Sequence, residues 1–340
     1  MTEKMEESNP LVRLIRKFQK RTRPVTLTGP FLPLVRLKEK GLPFNDAMRD
    51  PRAMTEAALM SFELGFESTV LPFDLNVEAE MLGARVQYHD GFDGNPVYPT
   101  IADKPFTSED DIKIPDALAE KGRMPTILKS IAFIKEQARN KGAVGVFIPG
   151  PFTLAGQVMD MEKLYRIVLK QPDKTRKILD RLTAFICKLI DLYASAGVDF
   201  LTVVEEGGAN ISPKPFRKLL LPCLQEIFQS KQIPRIVFLF GNSETVVEFT
   251  LACDPDGVIL DNGCNIEKTI GRLSERLPLF GQCGDPGMLA NATPDEITEK
   301  VNQCLDMGFT AVSPPADIYP PAKNENIKAF VKALGGMKKK

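Results

Sequence analysis

The feature that most constrains this chain recurs along its length: short apolar, partly β-branched runs, each closed by polar residues on its C-terminal side. FLTVVEEGGAN, from Phe200 to Asn210, is the plainest, and TVLPFD ends likewise at Asp74, VGVFIPGP at Pro151, RIVFLFGN at Asn242, DGVILDNG at Asp261 and LPLFGQCGD at Asp285. A continuous apolar run bounded by turn residues reads as a strand buried on both faces. Helical patterns lie between these runs, the clearest placing Ile178, Leu182, Phe185, Ile186, Leu189 and Tyr193 at spacings of three and four. With PVTLTGP as a first strand and FTAVSPPAD as a last, about eight strand–helix units result, the count for a (β/α)8 TIM barrel whose functional rim gathers the polar strand ends. No second domain boundary interrupts the pattern, so one domain covers 1–340.

Two segments depart from the repeat. Residues 1–24 form an N-terminal extension in which LVRLIRKFQKR is a basic amphipathic helix, with Leu11, Leu14, Ile15 and Phe18 on one face. Capping the barrel floor is its plain reading, and a membrane or partner contact is the other. Residues 88–142 separate the second and third strands and predict an insertion over the rim, a lid or a partner-docking surface. After the third strand, Gly150 and Pro151 permit a tight turn into a helix whose N-terminus faces the rim, an end that can hold an anion. Ser212-Pro213 and Thr293-Pro294 each pair a preferred N-cap with a proline at the first helical position.

Charge and cysteine usage then exclude classes of function. Lys plus Arg and Asp plus Glu both total 44, which gives no basic excess for nucleic acid. The six cysteines contain no CxxC pair and follow no secretory signal, so a reducing cytoplasm without disulfides is expected. No apolar run approaches the roughly 20 residues that span a bilayer.

The rim carries Asp74, Glu205, Glu206, Asp261, Asp285 and Asp317, with Asn242 and Gln282 as neutral companions and Thr28 on the first strand. Several carboxylates around one mouth repel, so at least one is expected to hold its proton unusually tightly, which suits acid–base work. Capping of the following helices, or pairing with loop Arg and Lys, is the structural alternative for any one of them. His89 is the only histidine, and it lies in the insertion rather than at a strand end, which counts against Ser-His-Asp or Cys-His chemistry. Neither a Walker-type phosphate loop nor a GxGxxG after a strand is present.

The blocks FDLNVEAEMLG, GPFTLAGQVM, ISPKPFRKLLLPCLQEI, LFGN, GQCGDPGML and NENIKAF, in that order, resemble the uroporphyrinogen decarboxylase superfamily. They are most similar to its corrinoid-linked methyltransferase branch, the methylcobalamin:coenzyme M methyltransferases, over residues 25–330. The resemblance implies a barrel whose mouth receives a methylcorrinoid (methylcobalamin) carried by a separate corrinoid protein, and the chain has no corrinoid-binding DxHxxG of its own. Decarboxylases of the superfamily follow the first strand with an Arg-rich motif; here that place reads VTLTGPFLP, although Asp74 matches the aspartate they set under the tetrapyrrole. The thiol-methylating members hold zinc with His-x-Cys at the end of strand five and a Cys after strand eight. Those places are Phe238, Phe240 and about Ala316 here, so no zinc is expected, nor the thiolate that zinc would generate.

The expectation is therefore a corrinoid-dependent methyltransferase of one-carbon metabolism acting on a methoxy-aryl compound, a pterin or similar. Asp74, Glu205, Glu206 and Asp317 are its candidates for proton transfer, and Thr28, Phe238, Phe240, Asn242, Gln282 and Asp285 line the substrate. Superfamily precedent allows a homodimer. Two alternatives stand beside it: a decarboxylase of a porphyrinogen or other carboxylic acid centred on Asp74, and a non-catalytic accessory subunit suggested by the missing zinc ligands.

Overall fold

The computed structural model describes residues 12, 15, 32–91, 96–138, 141–208, 211–229, 232–261, 263–314 and 318–336. PVTLTGP, with Thr28, and the Asp317 end of the last strand lie outside them. The described strands are β1 (Ser68–Leu71), β2 (Arg85–Gln87), β3 (Thr100–Asp103), β4 (Ala143–Pro149), β5 (Phe200–Glu205), β6 (Arg235–Leu239), β7 (Gly257–Leu260), β8 (Leu279–Gln282) and β9 (Ala311–Ser313). Seven of them form one sheet in the order β1-β4-β5-β6-β7-β8-β9, every neighbouring pair parallel. Each strand is thus added beside its predecessor, and every C-terminal end lies on one edge.

The side chains show how this sheet is rolled. Successive residues of a strand point to opposite faces, and here the two faces enter two separate apolar clusters. Val144, Val146, Ile148, Leu201, Val203, Val237, Leu239, Val258, Leu260, Leu279 and Val312 pack outward with the helices. Val70, Ala143, Phe147, Phe200, Val204, Ile236, Phe238, Ile259, Phe280 and Ala311 pack with one another. An open sheet would need helices on both faces, whereas a face that contacts itself belongs to a closed barrel. The interior is filled by rings lying where glycines omit a side chain. A Cβ on Gly145 would meet the Phe200 ring at 2.3 Å, and one on Gly257 the Phe280 ring at 2.6 Å. The two ends of the described barrel are tied together by Val35 N–H donating to Ile318 O (2.9 Å) and Ile318 N–H to Leu32 O (3.2 Å).

From the N-terminal extension, Val12 and Ile15 are buried in the interior cluster; Ile15 belongs to the expected apolar face and Val12 does not. Leu11, Leu14 and Phe18 lie outside the described residues. The stretch between β1 and β4 holds more ordinary barrel than the sequence suggests. It contains the antiparallel β2–β3 ribbon, but its final helix, Met124–Ala138, packs on helix Pro51–Glu63 in the outer layer. Helix Pro172–Ser195 buries the expected stripe. Of the two N-cap signals, Thr293 closes a full capping box with Glu296, while Ser212 makes no side-chain cap and is followed by a π-turn at Phe216–Leu220. All six cysteines are free thiols, and Cys283 and Cys304 bring their sulfurs to 3.2 Å. Among the described residues no helix is long and apolar enough to cross a membrane.

Candidate active site

Because the strands are parallel, Asp74, Glu205, Asn242, Asp261, Gln282 and Asp285 all lie on or just beyond the C-terminal ends of their strands and share one end of the barrel. Their environments divide them.

Glu205 ends β5 fully buried. One carboxylate oxygen accepts from Phe152 N–H (2.9 Å); the other accepts from Thr153 N–H (3.2 Å) and Thr153 Oγ1 (3.1 Å). The Thr153 hydroxyl in turn accepts from Glu206 N–H at 2.8 Å. The helix N-terminus opened by Gly150 does hold an anion, and that anion is the Glu205 carboxylate from the neighbouring strand. The glycines around it are demanded by this carboxylate: a Cβ on Gly150 would meet it at 2.2 Å and one on Gly208 at 2.6 Å. Burial raises the Glu205 pKa to about 7 against the bonds from Phe152 and Thr153 that lower it. One rim acid thus does hold its proton tightly, as expected, but desolvation is the cause rather than repulsion between carboxylates. Glu206, the next residue, is exposed.

Asp74 follows β1 and is almost fully buried. Arg123 grips it with both terminal nitrogens, Nη1 to Oδ2 at 2.6 Å and Nη2 to Oδ1 at 2.9 Å, and Asn76 N–H adds a bond to Oδ1 at 2.9 Å. The same guanidinium gives Nε to Glu80 Oε2 (2.8 Å) and Nη1 to Met48 O (3.2 Å). Its Cζ lies 5.7 Å from the Tyr88 ring centroid, and that of Arg49 lies 4.7 Å from it. A planar cation with a fixed fork suits a buried bidentate pair. Sequence reasoning missed Arg123 because it stands alone in the long stretch between strands. Only the need of a buried Asp74 for a counter-charge pointed to such a residue, and that need names no position.

The β6 to β8 side presents aromatic rings and amides, and its two carboxylates are turned to backbone N–H groups. Phe238 is 5% exposed within the interior cluster, and Phe240 is 42% exposed one step further out. Their rings meet edge to face with centroids 5.6 Å apart, a geometry favoured by the ring quadrupoles. Asn242 is exposed and Gln282, at the end of β8, half-buried. Asp261 serves the backbone, accepting from Gly241 N–H (2.9 Å) and Gly263 N–H (3.4 Å); Gly241 sits at φ +87°, where a side chain would be strained. Asp285 is exposed and caps a turn through Gly287 N–H at 2.8 Å. His89 follows Tyr88 in the chain and places its Nε2 3.0 Å from Thr100 Oγ1 on β3. The side chains of Phe238 and Phe240 offer no nitrogen, oxygen or sulfur to a metal.

A (β/α)8 barrel with a polar mouth and one apolar wall is the class that fold and site define. The uroporphyrinogen decarboxylase (URO-D) family profile matches residues 6–336, and the chain belongs to that family. It is 24% identical to a methylated-thiol–coenzyme M methyltransferase of Methanosarcina mazei, over 84% of this chain and 77% of that one. It is also 24% identical to the methylcobamide:CoM methyltransferase MtaA of Methanosarcina barkeri, over 87% and 88%. A chloroplastic uroporphyrinogen decarboxylase of Nicotiana tabacum is 25% identical over 61% and 55%. Among solved structures, a methyltransferase from Methanosarcina mazei superposes with a TM-score of 0.86 at 23% identity, covering 98% of both chains, which establishes the shared fold.

Proposed function

We propose that this protein transfers a methyl group between a small molecule and the cobalt of a corrinoid carried by a separate protein. The observation that carries the reading is the division of the mouth. A decarboxylase of a porphyrinogen must meet the carboxylates of its substrate with cations, and among the described residues the cation buried beside Asp74 is spoken for: Arg123 is bound to Asp74, Glu80 and Met48 O. Across from it, Phe238 and Phe240 present a wall with no donor for a thiolate-binding metal, and Asn242 and Gln282 add neutral hydrogen-bonding groups. Such a wall suits the ring of a methoxy-aryl compound or a pterin better than a short thiol.

The docked corrinoid supplies the metal centre that exchanges the methyl group. The chain itself holds the small molecule so that its methyl carbon lies in line with that centre, and positioning of this kind supplies much of the catalysis. In this reading Phe240 and Phe238 stack against the ring, and Asn242 and Gln282 fix its polar edge. Asp74, whose geometry Arg123 sets, exchanges a proton with the departing or attacking heteroatom. Glu205 keeps the β4 and β5 ends in register, since its carboxyl joins them through Phe152 and Thr153.

Cob(I)alamin offered a methyl ether or a methylpterin, and methylcob(III)alamin offered the demethylated counterparts or a thiol, test the proposal through the cobalt absorbance. Exchange with an aryl or pterin compound and little with a thiol is expected. No exchange with any compound would overturn it, and carbon dioxide release from a porphyrinogen would put the decarboxylase in its place.

A further inference from the structure

The chemistry of the mouth leaves a pair of reactive side chains beside it unused. Cys283 follows β8 directly and Cys304 lies on helix Pro294–Asp306, and their sulfurs are 3.2 Å apart. Other thiols keep ordinary company: Cys223 donates to Leu219 O (3.4 Å), and Cys264 lies 3.3 Å from Thr269 Oγ1. A small buried thiol beside an oxygen is common packing, whereas two sulfurs in contact can share a bond. A structural metal would need about four ligands, and among the described residues no group of three or more His, Cys, Asp or Glu gathers to hold one.

Both cysteines are held where they meet. Cys283 N–H donates to Ser313 O at 2.9 Å, which fixes it to β9. Helix Pro294–Asp306 is started by the Thr293–Glu296 capping box and packs on helix Asn324–Gly336. A disulfide needs about 2.05 Å between sulfurs, so closure asks for about 1 Å of movement from the present contact. Their surroundings assign the roles. Cys304 is the sulfur that solvent reaches, its residue 3% exposed against 0% for Cys283. In its ionised form it accepts the Cys283 S–H, which lowers its pKa; burial opposes this, and Lys300, one turn earlier on the helix, adds to it. Cys283 is raised by the same bond and by burial. The thiolate is the form that attacks an oxidant, so Cys304 reacts first and Cys283 resolves.

We propose that Cys283 and Cys304 close to a disulfide when the protein meets hydrogen peroxide, and that closure disables the mouth by moving the end of β8. The Cys304 sulfur breaks the O–O bond of the peroxide and becomes a sulfenic acid, while the second oxygen leaves as water with the thiol proton. The Cys283 sulfur then attacks the sulfenic sulfur; the S–S bond forms, the S–O bond breaks, and the hydroxyl leaves as water with the Cys283 proton. Two thiols lose two electrons, one peroxide gains them, and two waters result. Gln282 adjoins Cys283 in the chain, and a shift of about 1 Å in a positioning group lowers turnover on the order of 100-fold. That consequence rests on the methyl-transfer reading; the disulfide does not.

Trypsin cuts after Lys300, between the two cysteines, so a disulfide joins peptides that are otherwise separate. The whole reduced protein, treated with hydrogen peroxide and then alkylated, is expected to lose two of its six free thiols and to yield this crosslinked pair, which a reductant separates. Cys283→Ser should leave Cys304 as a sulfenic acid that dimedone traps, and Cys304→Ser should abolish both products. Absence of the crosslinked pair while the half-exposed Cys187 is oxidised, or crosslinking of Cys304 to other cysteines as readily, would overturn the disulfide whether or not the protein transfers methyl groups. For the mouth, peroxide is removed and transfer is followed from methylcob(III)alamin to an aryl or pterin acceptor, a direction that needs no reductant. A loss on the order of 100-fold that a reductant reverses and Cys304→Ser escapes is expected; a crosslinked protein as fast as the reduced one would overturn the regulation.

Discussion

The two walls of the mouth are built on opposite physical terms. On the β1 side, Asp74 and Arg123 are locked into one another out of water, with the half-buried Glu80 also bound to the guanidinium. On the β6–β8 side, Phe240 and Asn242 stand open to solvent on a floor of packed rings. A buried ion pair ties function to folding, because removing one partner strands the other charge; an exposed wall can change with little effect on the fold. The proposed function puts the shared chemistry on the first wall and the choice of substrate on the second, and each substitution below either widens that contrast or closes it.

The largest effect is expected from Arg123→Ala. It leaves Asp74 buried without its counter-charge and should cost about 3–5 kcal/mol of stability in urea unfolding. A loss under about 1 kcal/mol would mean that the pair behaves like a surface salt bridge.

Next comes pH. Glu205 and Glu78, the latter fully buried on helix Val77–Met81, have folded pKa values raised to about 7 and about 8 from 4.5. The folded state then binds protons more tightly than the unfolded chain. Their contribution is complete below the unfolded value and is lost as pH rises through the folded ones, at roughly 1.4 kcal/mol per pH unit for each group protonated only when folded. The melting temperature should fall between about pH 5 and about pH 8; a rise across that window would contradict both shifts. Glu205→Gln should flatten part of that slope. It should also cost about 1–3 kcal/mol, because an amide nitrogen then faces donors from Phe152 or Thr153.

On the open wall the balance reverses. Phe240→Ala should cost only about 1 kcal/mol, chiefly its edge-to-face contact with Phe238, yet reduce kcat/KM roughly tenfold or more as an anchoring ring is lost. His89→Gln, replacing a ring that meets Thr100 rather than the ion pair, should change stability by less than about 0.5 kcal/mol and leave turnover unaltered.

Much of this was legible in the chain itself, and for a definite reason. Strand period and polar strand ends are local signals, so the barrel, its common rim and the placement of Asp74, Glu205, Asn242 and Gln282 on that rim could be read directly. What could not be read is which side chains answer them across space. Arg123 is separated from Asp74 by the β2–β3 ribbon, and nothing in GRMP marks it. Glu205 looked like a free rim acid because its partners, Phe152 and Thr153, are backbone groups and a hydroxyl one strand away. The helix end at Gly150 was correctly seen as an anion site, but its anion came from the neighbouring strand. Glu78 sits in a block quoted for its resemblance, and only burial without partners singles it out.

The most direct test compares the two walls in one assay, the cobalt absorbance change when cob(I)alamin on its partner protein meets a methoxy-aryl or methylpterin donor. Wild type should form the methylated corrinoid; Asp74→Asn should lower kcat at unchanged KM, and Phe240→Ala should raise KM. No methylation with any donor, or variants on both walls that transfer methyl groups as fast and with the same KM as wild type, would contradict the account.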